Sequence, residues 1–172
     1  MHSSIRIHLL KDHIKDIPIL AKVLYEEWSN VYCSLGYQDI SQVETELRNT
    51  SQNVDKIPLT FVAYDTTNNK LVCTASIDCR DLPTSHPYGF TSYWVNCVYT
   101  FPEYRGKGYC NLVMKQVIRK AKAMSLHCLW LYTENMEKAY QKLGFQMIER
   151  CKFQSQNITI MRWDNTQIQS KL

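Results

Sequence analysis

One segment in the middle of the chain has residue types and a spacing that could bind a phosphate group. It reads FPEYRGKGYC over residues 101–110 and joins an apolar stretch to a helix-forming stretch. Gly106 and Gly108 carry no side chain, so the backbone there can approach a ligand closely. The first amides of a helix have no intrahelical partner, and the helix dipole makes that end partly positive. The pattern therefore predicts a site for a phosphate or a pyrophosphate.

Two better-known phosphate motifs do not account for this segment. The spacing of a P-loop is absent, and the third glycine of a dinucleotide-binding fingerprint is missing. Two glycines after an arginine are also typical of a plain strand-to-helix turn. The segment on its own leaves both interpretations open.

A second segment, YQKLGF over residues 140–145, ends a short helix with Gly144 and leads into a strand. Together the two segments resemble the GNAT superfamily of N-acetyltransferases. The pyrophosphate motif of that family has Arg or Gln, then Gly three positions later and a small residue after two more. Arg105, Gly108 and Cys110 fit it, except that Cys110 replaces the usual Gly or Ala. Cysteine is small enough for coenzyme binding to survive, so we interpret Cys110 as a tolerated small residue. The alternative is an oxidation-sensitive thiol, since thiol pKa values fall at a helix N-terminus.

The resemblance implies that acetyl-CoA is the co-substrate. Its pantetheine arm would hydrogen-bond to the strand backbone before the turn, and the turn amides would hold its pyrophosphate. Asn135 is a weaker candidate for a coenzyme contact, with a helix N-cap as the alternative. The coenzyme-binding residues implied in this way are Val98, Tyr99, Thr100, Arg105, Gly106, Lys107, Gly108, Tyr109, Cys110 and Asn135.

Tyr140 matches the family tyrosine that gives a proton to the departing thiolate, so the resemblance assigns it the catalytic role. The alternative is an ordinary aromatic side chain packed near a helix end. A lysine amine with a pKa of about 10.4 must lose a proton before it attacks. An α-amine with a pKa of about 7.7–8.0 is already partly neutral near physiological pH. A general base is therefore useful for the first kind of acceptor. The sequence offers five candidate groups and selects none: Asp78, Asp81, His86, Tyr132 and Glu134.

The predicted function is N-acetyl transfer from acetyl-CoA to a primary amine by direct attack in a ternary complex. The alternative is an acyl-CoA-binding sensor or scaffold with little or no turnover. The acceptor is a small-molecule amine or a protein amine, and fold analogy does not choose between them.

The elements that must position these groups follow from hydrophobic periodicity and from turn residues. Ser41 and Glu44 fit a capping box that would begin the second helix. The pattern is α+β, and the resemblance implies a GNAT-like mixed, mainly antiparallel central sheet of about seven strands flanked by about four helices. Predicted strands cover 5–10, 59–64, 71–78, 92–100, 126–132, 145–150 and 158–163, and predicted helices cover 16–28, 41–50, 112–124 and 135–143.

Length and composition set the remaining limits. A chain of 172 residues favours a single N-acetyltransferase domain over 1–172, with a core of about 5–164. The net charge of +4 is too small to indicate a nucleic-acid binder, and no apolar run is long enough to span a membrane. The seven cysteines and five histidines show no metal spacing, so we expect no metal and reduced thiols. We expect a cytoplasmic protein that is a monomer or a homodimer.

Overall fold

The computed structural model describes residues 4–79, 81–83, 85–89 and 91–166. Within them the chain forms a seven-stranded sheet with the order β1-β2-β3-β4-β5-β7-β6, mostly antiparallel with one parallel pair, and five α-helices. The predicted α+β sheet is confirmed. The strands are β1 Ile5–Leu9, β2 Leu59–Asp65, β3 Lys70–Asp78, β4 Trp94–Thr100, β5 Cys128–Thr133, β6 Gln146–Phe153 and β7 Gln156–Asp164. The helices are α1 Ile17–Glu27, α2 Ser29–Ser34, α3 Ile40–Ser51, α4 Tyr109–Ala123 and α5 Glu137–Gln141.

The first of two compact units comprises residues 1–76 and 97–113. Its core forms where α1 and α3 bury one apolar face each, including Leu20, Leu24 and Leu47. Tyr99 of β4 belongs to the same cluster, and the Trp28 ring meets it edge-on with the ring centroids 6.3 Å apart. The helix α2 was not predicted, because six residues without a buried side chain carry no clear helical period.

The predicted capping box at α3 is wrong in its choice of cap. Asp39 is the N-cap residue, and its Oδ1 accepts hydrogen bonds from the amides of Ser41 at 2.9 Å and Gln42 at 3.3 Å. A carboxylate is favoured at this end of a helix because its charge complements the dipole. Glu44 instead pairs with Arg48 one turn further along, at 2.6 Å.

The second unit comprises residues 77–96 and 114–172. Trp94 pairs with Trp130 in the parallel register of β4 and β5, and their ring centroids lie 6.1 Å apart. Trp94 is completely buried and takes part in an aromatic cluster with Tyr88 and Tyr132. Trp94 therefore serves core packing. The hairpin of β6 and β7 continues this unit from β5.

Candidate active site

The segment predicted to bind phosphate, residues 102–110, lies in the first unit between β4 and α4, and we call it the phosphate-binding turn. A 3-10 turn over Pro102–Tyr104 leaves the strand, with the Tyr104 amide donating to the Phe101 carbonyl at 2.9 Å. The chain then reaches Tyr109, where α4 begins three residues earlier than predicted. The turn thus leads directly into the N-terminus of a helix, where the first amides lack intrahelical partners.

Both glycines of the turn have conformations that side chains disfavour. Gly106 has a φ of +75° and Gly108 a φ of +78°. No atom of the described chain lies within 4 Å of the point where a Cβ would stand on either residue. The glycines therefore allow the left-handed backbone conformation of the turn. They also leave the surface above them open, as close approach of a phosphate requires.

Some backbone amides of the turn donate hydrogen bonds within the chain, and others do not. The Arg105 amide already donates to the Pro102 carbonyl at 3.2 Å. Within the described residues no hydrogen bond is found for the amides of Gly106, Lys107 and Gly108. The amides of Tyr109 and Cys110 open α4, where a helix supplies no partner. These five N–H groups form a donor set that suits an anion, so the residues present fit a pyrophosphate.

Arg105, the first residue of the motif, uses its side chain to brace the turn. Its Nε donates to the Thr100 carbonyl at 3.0 Å, and its Nη2 lies 3.8 Å from the Glu27 carboxylate. The guanidinium carbon stands 5.6 Å from the centroid of the Tyr99 ring. The Thr100 carbonyl is thus already occupied by Arg105.

Cys110 does not behave as its place at a helix N-terminus predicts. Burial raises the pKa of its thiol to about 11, and the same cause raises the pKa of the neighbouring Cys73 to about 12. The alternative of a thiol with a lowered pKa is therefore wrong, because loss of hydration outweighs the helix dipole. Cys110 acts as a small apolar residue beneath the turn.

The strand before the turn contains a backbone irregularity that the sequence did not reveal. Cys97 of β4 has a φ of +51°, a left-handed conformation that is rare for a residue with a side chain. The Tyr32 hydroxyl lies 3.8 Å from the Cys97 sulfur and helps to hold it. Strained backbone of this kind concentrates at functional sites, and here it directly precedes Val98. Nothing in the residue types around position 97 signals it.

Tyr140 lies in the second unit on α5, half-buried, with its ring edge-on to Phe145 at a centroid distance of 5.9 Å. The Phe145 amide returns to the Tyr140 carbonyl at 3.1 Å and closes the helix. Gly144 makes this closure possible with a φ of +92°, and a Cβ there would stand 3.4 Å from the Trp163 ring. The YQKLGF segment therefore fixes the position of Tyr140 through backbone geometry.

Asn135 does not cap α5. The residue is exposed, and the hydrogen bond that begins the turn runs from the Met136 amide to the Thr133 hydroxyl at 3.1 Å. The N-cap alternative for Asn135 is therefore wrong. Its contact with the coenzyme stays a prediction.

Among the candidate bases, Asp81 is distinguished by the raised pKa of its carboxyl. It lies in the second unit after β3, and burial raises the pKa of its carboxyl to about 7, with a hydrogen bond from Asn96 opposing the rise and Asp78 adding to it. The Oδ1 atom of Asn96 is itself buried and has no hydrogen-bond partner among the described residues. His86 is engaged elsewhere, with its Nε2 at 3.8 Å from the Cys151 sulfur. Carboxyls with a pKa near neutrality are typical of proton-transfer sites.

Comparison with known proteins places the chain in a family. The model of the acetyltransferase (GNAT) family matches residues 22–145, which is more than half of the sequence. The chain therefore belongs to this family, and the predicted enzyme class, an acyltransferase, is confirmed. No curated protein sequence is significantly similar to this chain.

Several solved structures share the fold over nearly the whole length. A protein from Exiguobacterium sp. 255-15 assigned as an acetyltransferase is 23% identical, covers 97% of both chains and has a TM-score of 0.61. Mutant forms of a spermidine/spermine N-acetyltransferase from Vibrio cholerae are 16% identical, with 99% of both chains covered and a TM-score of 0.67. An assigned acetyltransferase from Salmonella typhimurium, crystallised with its cofactor acetyl-CoA, is 15% identical, with 94% of both chains covered and a TM-score of 0.65. At these identities the likeness confirms the GNAT-like fold.

Two further properties hold for the described residues. None of their helices has the length and apolar character needed to cross a membrane. No group of three or more His, Cys, Asp or Glu side chains among them could hold a metal ion.

Proposed function

We propose that this protein transfers the acetyl group of acetyl-CoA to a primary amine by direct attack in a ternary complex. The observation that carries the proposal is the phosphate-binding turn, where two left-handed glycines leave five backbone N–H groups open in the family's pyrophosphate motif. A backbone cradle of this kind binds a diphosphate and leaves the reactive end of the coenzyme to be held by other residues.

In this proposal the amides of residues 106–110 hold the pyrophosphate. The backbone of Val98, Tyr99 and Thr100 holds the pantetheine arm as an added strand would, using the Thr100 amide because Arg105 occupies the Thr100 carbonyl. Asn135 is available for a further contact with the coenzyme, since its side chain is exposed.

The reaction needs three polar groups. The amine nitrogen attacks the thioester carbonyl carbon, while the Val98 amide donates a hydrogen bond to the carbonyl oxygen as negative charge develops. The carbon–sulfur bond then breaks, and Tyr140 gives its hydroxyl proton to the departing thiolate. The nitrogen must also lose a proton, which we assign to the Asp81 carboxylate.

Asp81 suits this role because a base is most effective when its pKa lies near the working pH. Its pKa of about 7 makes it a better acceptor than an exposed carboxylate, and its charge when ionised attracts a cationic amine. The fold likeness to a spermidine/spermine N-acetyltransferase supports including aliphatic polyamines among the acceptors tested.

The test combines binding and turnover in one preparation. Purified protein is titrated with acetyl-CoA by calorimetry, and thiol release is then followed with spermidine, an aminoglycoside, a lysine side-chain analogue and a peptide α-amine. Binding together with thiol release that depends on one amine class supports the proposal. Binding without release by any amine would favour the sensor alternative, and absence of binding would contradict the assignment of the turn.

Tyr140→Phe separates catalysis from packing in the same assay. We expect kcat to fall by about 10-fold to 100-fold with an unchanged acetyl-CoA affinity, because only proton donation is lost. Tyr109→Phe is the matched control, since only the amide of Tyr109 is assigned a function. Equal rates for Tyr140→Phe and the unmodified enzyme would show that the phenol serves packing alone.

A further inference from the structure

A groove on the surface of the second unit is lined by four cationic side chains, and the proposed reaction does not use it. It has a volume of about 330 Å³ and lies between α4, the end of α5 and β7. Lys115, Arg119 and Lys122 follow one another at intervals of four and three residues, which places them on one face of α4. Lys142, just after α5, adds the fourth cation.

Among the described residues, the four cations share a lining that contains no side chain of opposite charge. No ion pair is found for any of them among the described residues, and no carboxylate of that part of the chain lines the groove. The only hydrogen bond found there for the Arg119 side chain goes to a neutral group, Gln116, at 3.1 Å. Carboxylate partners at 4.0 Å or less are found elsewhere for Lys11, Lys22, Arg48, Arg105, Arg150 and Arg162.

Clustered like charges lower the stability of a helix, since cations four residues apart repel each other. A bound anion removes this repulsion and receives charge-assisted hydrogen bonds, including the paired N–H groups of a guanidinium. The groove therefore has the electrostatics of an anion site built from side chains.

The floor of the groove is apolar and aromatic. Ile118, Leu143 and Trp163 form it, and the Lys122 ammonium stands 5.8 Å from the centroid of the Trp163 ring. The volume of about 330 Å³ lies at the low end of the range of small-molecule sites, so the groove has room for a compact ligand. An anion with an apolar or aromatic body would match both the rim and the floor.

We propose that this groove binds a small phosphate-bearing anion of nucleotide size at a site distinct from the phosphate-binding turn. None of the lining residues belongs to that turn. The inference is independent of the proposed function, because it depends only on the groove and its charges.

Two sources could supply this chemistry, a free nucleotide or the adenosine bisphosphate half of acetyl-CoA, and the test separates them. ATP and inorganic pyrophosphate are titrated by calorimetry into the full-length protein, with and without saturating acetyl-CoA. We expect ATP to bind in both conditions. Loss of ATP binding when acetyl-CoA is present would overturn the proposal, because ATP and acetyl-CoA would then compete for one site.

Variants test the cations directly. Arg119→Glu should weaken ATP binding by about 10-fold or more, since it reverses a charge within the groove. Lys142→Glu repeats the change from another element, and thermal unfolding checks that both variants fold. Lys138→Glu is the matched control, because it is an exposed lysine of α5 outside the lining and should change the affinity by less than about twofold.

Three results would contradict the proposal. The first is absence of ATP and pyrophosphate binding at millimolar concentration. The second is an equal loss of ATP affinity in Lys138→Glu, which would indicate nonspecific attraction to a basic surface. The third is tighter binding of a glutamate-rich peptide than of ATP, which would point to an acidic protein segment.

Discussion

The two units of the molecule differ in the groups that they present to ligands. In the first unit the phosphate-binding turn offers backbone N–H groups, and its one arginine side chain is tied to Thr100 and Glu27. In the second unit the groups to which we assign proton transfer and anion binding are side chains, with Asp81 hydrogen-bonded to Asn96 and four cations lining a groove. Backbone donors hold their positions through the fold, whereas side chains depend on burial and on neighbours for their charge and pKa. Changes in the first unit should therefore alter affinity for the acyl donor, and changes at Asp81 should alter turnover.

The largest expected effect is that of Asp81→Asn. We expect kcat/KM for a lysine-like amine to fall by about 100-fold near neutral pH, because a general base typically contributes at least that much. The unmodified enzyme should lose activity below pH 7, where the carboxyl becomes protonated, and the variant should lose this dependence. Rates measured from pH 5.5 to 9 check this. Glu134→Gln, an exposed carboxylate, is the control, and an equal loss there would contradict the assignment.

The same substitution has a signature in stability. The pKa of Asp81 is raised by folding from 3.8 to about 7, so its contribution to stability is fully present below about pH 4 and is lost as the pH rises through 7. Asp81→Asn should therefore raise Tm at pH 8 relative to the unmodified protein, and the gain should shrink by pH 5. A gain that is the same at both pH values would show that the carboxyl is not buried.

The next effect is on the first unit. Gly108→Val places a branched side chain at a φ of +78° and fills the open surface above the turn. We expect acetyl-CoA to bind about 30-fold more weakly, or about 2 kcal/mol, by calorimetry. Gly36→Val is the matched control, because Gly36 has a φ of +93° with equally open surroundings outside the turn. If both variants lose the coenzyme equally, general strain and not the cradle is the cause.

A smaller effect is expected from salt, which should weaken ligand binding at the two anion sites to different extents. Exposed cations are screened by salt more strongly than short amide contacts, so ATP affinity should fall by about 10-fold between roughly 50 mM and 500 mM NaCl. Acetyl-CoA affinity should fall by about threefold or less over the same range, since fixed amides at short distance provide most of the attraction. Equal slopes in the calorimetric titrations would show that the two sites bind anions in the same way.

The smallest effect is expected at Cys110. Its thiol has a pKa of about 11, so iodoacetamide at pH 7.5 should modify it far more slowly than the exposed Cys79. Cys110→Ala should change acetyl-CoA affinity by less than about twofold, because alanine is also small and the turn donates from its backbone. Mass spectrometry of the alkylated protein checks the order of reaction. Early modification of Cys110 would contradict the burial beneath the turn.

Much of the fold was predictable because the conformational preferences of residues close together in the sequence agree with the tertiary structure. The turn between β4 and α4 and the end of α5 at Gly144 depend on glycine conformations that a sequence motif records directly. The cap of α3 was misplaced from Asp39 to Ser41, since both residue types cap helices and only the backbone conformation distinguishes them.

The sequence by itself determined the family, the order of the strands along the chain and the place of the glycine turn before α4, since each depends on residues close together in the chain. The tertiary structure alone decided that the pKa of the Asp81 carboxyl is raised to about 7 and that of the Cys110 thiol to about 11, because a pKa depends on burial and on neighbours from other elements. It also decided the basic groove, whose walls come from α4, the end of α5 and β7. Residues 115, 142 and 163 are brought together by folding, and no spacing in the sequence records their approach.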